Sequence, residues 1–95
     1  MSKQAPAGRD DETEARDRAA QQQLAAAVGR AVMTGLGRPV DLLNVTVRQV
    51  AGHNYRVNVV TGPDPTAARV AHSFFVAVDD QGNVIDSAPP LARCY

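Results

Sequence analysis

Tryptophan is absent from this chain, and cysteine and lysine occur once each, as Cys94 and Lys3. A single cysteine excludes an intrachain disulfide, so the fold needs no oxidising compartment. Two histidines, His53 and His72, stand at no metal-ligand spacing from each other or from Cys94, so no zinc motif is present. Neither G-x-x-x-x-G-K nor G-x-G-x-x-G occurs, which excludes the phosphate cradles those loops build. Acidic and basic residues balance at 10 each. A dedicated nucleic-acid binder carries a basic excess, so no nucleic-acid partner is expected. The four aromatics, Tyr55, Phe74, Phe75 and Tyr95, are too few for a stacking platform once some of them pack. The near-total use of arginine over lysine, in a chain rich in Ala and Val, reads as coding bias rather than phosphate recognition. No segment approaches the ~18 consecutive apolar residues of a membrane span, and the N-terminus "MSKQAPAGRDDETEARDR" lacks the apolar core of a signal peptide. The expectation is a cytoplasmic protein with no membrane partner.

What is there fits one small domain. With 95 residues the chain can lay one helix on one sheet. Residues 1–9 contain Pro6 and Gly8 and read as a flexible tail, residues 10–88 as the domain, and residues 89–95 as a C-terminal tail with a Pro-Pro pair. The acidic run Asp10-Asp11-Glu12 suits the positive end of a helix, with Asp11 and Glu14 at capping-box spacing. Glu12–Arg16 and Glu14–Arg18 are i,i+4 pairs with the acid first. Leu24, Val28, Val32 and Leu36 then recur every four residues, an apolar stripe at helical period. Gly35, Gly37 and Pro39 predict the end of that helix.

From Val40 the period becomes two. Leu43, Val45 and Val47 alternate with Asn44, Thr46 and Arg48, as in a half-buried strand. The alternation slips at Gln49–Val50, which predicts a bulge or a turn. Tyr55, Val57 and Val59 alternate on the way back. After the Pro- and Gly-containing connection "TGPDPTAAR", a third strand sets His72, Phe74, Val76 and Val78 on one face and Ala71, Ser73, Phe75 and Ala77 on the other. In "DDQGN", Asp79 suits the first position of a type I turn and Gly82 the left-handed position after it. Val84 and Ile85 start a fourth strand. The predicted architecture is α+β: one long helix across a four-stranded antiparallel meander. Its predicted core is Leu24, Val28, Val32, Leu36, Leu43, Val45, Val47, Val57, Val59, Phe74, Val76, Val78 and Ile85.

Catalytic machinery is not expected. A Cys/His pair needs a held hydrogen-bond geometry, which a near-terminal cysteine does not supply. Turn formation accounts for Asp79 and Asp80 without acid–base work. No catalytic residue, metal ligand or cofactor is assigned, and the protein is not read as an enzyme. One feature calls for function: the small, nearly apolar bend Val50-Ala51-Gly52 within "RQVAGHNY". A tip of this kind is either a tight hairpin and nothing more, or a wedge in which glycine and alanine let backbone approach backbone.

That stretch resembles the first hairpin loop of the cystatins, whose signature is Gln-Val-Val-Ala-Gly, and is most similar to the short stefin type. In stefins the loop continues Ala-Gly-x-Asn-Tyr; here it reads Ala51-Gly52-His53-Asn54-Tyr55. The order of elements, the interval from helix to loop and the total length are similar as well. The resemblance implies a cystatin-like fold and reversible blocking of papain-like cysteine proteases by three elements: a trunk glycine, the first loop and the second loop. Carried over, these are Gly8, the stretch Val50, Ala51 and Gly52, and the turn Asp79, Asp80, Gln81, Gly82 and Asn83. Arg48 stands where the signature has glutamine and Gln49 where it has its first valine. The second loop has no Pro-Trp pair. A less specific resemblance, carried by "VDDQGNVI" after a helix and strands, is to bacterial propeptide domains of the PepSY type, which again implies protein binding. The expected function is a non-enzymatic protein-binding domain, with a papain-like protease as the implied partner, acting as a monomer or weak dimer. The alternative is a ligand-binding, accessory or oligomerising domain on the same scaffold, without inhibition.

Overall fold

The computed structural model describes the backbone of residues 4–95 and the side chains from residue 14 on. Helix α1 (Gln4–Leu36) is followed by β1 (Leu42–Ala51), β2 (Asn54–Thr61), a 3-10 turn (Pro65–Ala67), β3 (Arg69–Val78) and β4 (Val84–Ala88). The strands form one antiparallel sheet in the order β1-β2-β3-β4, with α1 packed on one face. This is the predicted α+β arrangement, a helix on an open four-stranded meander consistent with a cystatin-like fold.

The apolar stripe of α1 seats as its period requires. Val28, Val32 and Leu36 are buried, with Leu24 half-buried beside them. They meet alternate residues of the central strands: Tyr55, Val57 and Val59 of β2, and Phe74, Val76 and Val78 of β3. Gly29 faces β1 so closely that a Cβ there would lie 3.1 Å from Val47 Cγ2. The missing side chain therefore sets how near helix and strand approach. The helix starts earlier than expected, so residues 4–9 continue α1 rather than forming a tail. Pro6 does not prevent this, because a proline in the first turn removes an N–H that has no intrahelical acceptor.

The helix ends at Gly37, with φ +90° and its N–H donating to Met33 O at 2.8 Å. The last carbonyl is satisfied from far away in sequence: the N–H groups of Cys94 and Tyr95 both donate to Leu36 O, at 2.8 and 3.1 Å. The C-terminal residues are therefore docked rather than a separate tail. Leu91 lies on Gly35, where a Cβ would stand 2.7 Å from Leu91 Cδ2. The Tyr95 hydroxyl and His72 Nε2 are 2.7 Å apart, with His72 stacked on Phe74.

Two predicted core residues face solvent instead. Leu43 is 37% exposed and Ile85 68% exposed. Both sit where the ladder slips: β1 against β2 between Leu42 and Asn44, and β4 against β3 between Val84 and Asp86. An extra residue in one strand reverses which side chains face inward, so Leu42 and Val84 pack against the core in their place. The expected slip near Gln49 is present, between Gln49 and Ala51.

Candidate functional site

Both hairpin loops lie at one end of the sheet, beside the middle of α1. The bend between β1 and β2 is Gly52-His53, closed by the pair Ala51 and Asn54, with Gly52 at φ +54°. Glycine at the first central position gives a two-residue turn whose twist matches its strands. Val50, the residue that escapes pairing, is 53% exposed, and Ala51, Gly52 and His53 are exposed with it. Gln49 braces this tip: its Nε2 donates to Gly52 O at 2.6 Å. In this position a side-chain amide closes the bend, which the valine of the cystatin signature cannot do.

The second loop, residues 79–83, is held by its first residue. Asp79 Oδ1 accepts from the N–H groups of Gln81 and Asn83, both at 2.9 Å, and Oδ2 accepts from Asn83 Nδ2 at 3.0 Å. The Asn83 N–H and side-chain amide hold the Asp79 carboxyl below the ordinary carboxylate range. Gly82 has φ +87° and is buried under α1; a Cβ there would lie 2.9 Å from Ala27 Cβ and 3.2 Å from Leu24 Cδ1. Asp80 and Gln81 are the exposed crest of this turn.

The two loops are tied together. The Val78 N–H donates to His53 O at 2.9 Å, and His53 Nε2 lies 3.4 Å from Asp80 Oδ1. The result is a two-loop edge with an apolar side, Val50-Ala51-Gly52, and an acidic side, Asp80. Sequence reasoning placed both loops but not the His53–Asp80 link between them. An imidazole in one turn and a carboxylate in the other were its visible signal.

The remaining expected residues fall differently. Arg48 is on the outer, uncovered face of the sheet, directly across from Arg56. Like charges so placed repel; Arg56 turns to Ser73 Oγ, 3.1 Å away, and lies over the Phe75 ring at 6.0 Å. Gly8 is on the backbone of α1, and its surroundings lie outside the described residues. From residue 14 to residue 23 the helix is exposed on every side, about 15 Å of rod leading to the half-buried Leu24. Depressions of about 260 and 350 Å³ separate this rod from the first and second loops respectively, and Gln21 lines both. The smaller is lined in part by Tyr55, whose buried hydroxyl has no hydrogen-bond partner among the described residues. Among the described residues no three His, Cys, Asp or Glu side chains converge as metal ligands, and no helix is long and apolar enough to cross a membrane. Compared with protein-family models, curated proteins and solved structures, the chain matches none.

Proposed function

We propose that the protein is a non-enzymatic binding domain that engages a protein partner through its loop end, with a papain-like cysteine protease as the partner class implied by the cystatin resemblance. The observation that carries this reading is the braced pair of loops. Val50–Gly52 and Asp80–Gln81 project together from one edge, and internal hydrogen bonds fix each loop before any partner arrives. A pre-fixed loop loses little entropy on docking, so more of its contact energy appears as affinity. On this reading Val50, Ala51 and Gly52 enter the cleft, Gln49 and Asp79 hold the two bends, and Gly82 anchors the second loop to α1. A cytoplasmic setting belongs to the same reading.

The test is a titration of papain activity with the full chain beside Gly52→Glu. Stoichiometric inhibition that the substitution abolishes supports the reading. A specific observation favours the alternative of an accessory domain without inhibition: the exposed rod of α1 stands beside both loops, where a deep cleft would have to admit it. Absence of inhibition at micromolar excess selects that alternative.

A further inference from the structure

We infer that the open edge of β1 is a second docking site, which takes an extended acidic segment of another protein as an added strand. β1 has ten residues and, among the described residues, pairs with β2 alone. The Val45 N–H donates to the neighbouring Asn44 Oδ1 at 2.9 Å, a makeshift acceptor for a group that faces no strand. Alternate residues of an antiparallel strand direct N–H and C=O to the same side, so Val47 presents its backbone to the open edge together with Val45.

The opposite edge is guarded. β4 has five residues, and Pro89 and Pro90 follow it. The Ser87 N–H is capped by Asp86 Oδ1 just as Val45 is by Asn44, so length, proline and the charge of the cap distinguish the two edges; the Ser87 hydroxyl donates to Pro89 O at 2.9 Å. Short length, proline and charged side chains are among the ways chains block strand addition. β1 is twice as long, has no proline, and carries a single charged side chain, Arg48, along its ten residues.

Below that edge runs a groove of about 410 Å³ between β1 and α1, with Gly29, Met33, Leu42, Val45 and Val47 in its lining. An added strand would hydrogen-bond to β1 and send every second side chain into this groove, the arrangement of β-augmentation. Charge decides the occupant. Arg30 and Arg38 also line the groove, and both are exposed. Among the described residues the single ion pair joins His53 and Asp80, so neither guanidinium has a carboxylate within 4.0 Å. A second copy of this chain would add its own Arg30, Arg38 and Arg48 to the same seam. An acidic segment neutralises the pair instead.

The probes are two blocked heptapeptides, Glu-Thr-Val-Thr-Val-Thr-Glu and its counterpart with lysine in place of both glutamates. Their valines and end charges share the face that enters the groove. Each is titrated into the full chain at low ionic strength, followed by amide NMR and by sedimentation of the free protein. The expected result is saturable binding of the acidic peptide, with shifts at residues 44–49 and 29–33 and slowed exchange at Val45 and Val47. The lysine peptide should bind about tenfold more weakly, as two partly exposed ion pairs imply. Arg30→Glu with Arg38→Glu, both surface changes, should invert the preference while far-UV circular dichroism stays unchanged. The proposal is overturned by absence of acidic-peptide binding, by equal affinities, or by shifts confined to other residues. A free protein that already sediments as a dimer with protected β1 amides overturns it equally.

Discussion

Replacing Gly82 with alanine separates two contributions that the structure assigns to one residue. Gly82 and Gly52 each sit in a hairpin at positive φ, +87° and +54°. Holding an L-residue in that region costs about 1 kcal/mol. Gly52→Ala should cost little more than this, because among the described residues nothing beyond its chain neighbours lies within 4 Å of its added Cβ. At Gly82 the added Cβ meets Ala27 Cβ at 2.9 Å and Leu24 Cδ1 at 3.2 Å. The leucine can rotate, but the alanine carbon is fixed to the helix backbone, so α1 and the turn must separate. Overpacking of that kind adds about 2 kcal/mol. For a domain of this size the totals, about 3 and about 1 kcal/mol, correspond to losses of roughly 12–24 °C and 4–8 °C in thermal midpoint. Calorimetry of the two variants beside the parent measures the difference. Equal losses would refute the docking of the second loop on α1, and with it the claim that this loop is held rigid by the helix.

The remaining predictions address the core, the C-terminus and pH. Val28→Asp places an unpaired charge in the buried cluster that also holds Val32, Val57 and Val76; the variant should not fold, and an unchanged circular-dichroism melt would disprove the helix assignment. Leu91→Ala should lower stability by about 1–2 kcal/mol, since the side chain seated on Gly35 is half-buried, and urea denaturation would show it. No loss would mean that residues 89–95 are not docked. The Asp79 carboxyl is depressed below its ordinary value of 3.8 when folded. Its hydrogen bonds therefore support the fold above that value and are lost as pH falls through the depressed one. Asp64, whose carboxyl is held low first by the Thr66 hydroxyl, acts in the same direction. In thermal melts taken from neutral pH into acid, Asp79→Asn should flatten the acid decline, and an unchanged slope would remove Asp79 from the account.

Local chemistry carried most of the fold. The four-residue spacing from Leu24 to Leu36 fixed the buried face of α1, and alternation fixed the inner faces of β2 and β3. Gln49 announced its slip by standing where an apolar residue was due. The slips at Leu43 and Ile85 had no such mark, because an apolar residue occupied the position the ladder turned outward. The docking of Leu91, Cys94 and Tyr95 was illegible because its partners Gly35, Leu36 and His72 lie more than 20 residues away in sequence. For the site, the tip and the second turn were readable from glycine and aspartate positions alone. Their juxtaposition required the register of β2 on β3, and the exposed rod of α1 required knowing where the sheet stops. Hydrophobic periodicity falls silent at that boundary.

We propose that the loop end docks a protein partner. It is tested most directly by amide NMR of the full chain titrated with papain whose catalytic cysteine has been blocked. Docking at this end gives saturable shifts centred on residues 49–53 and 79–83, lost in Gly52→Glu. Absence of shifts at micromolar excess, or shifts that leave both loops untouched, would contradict it.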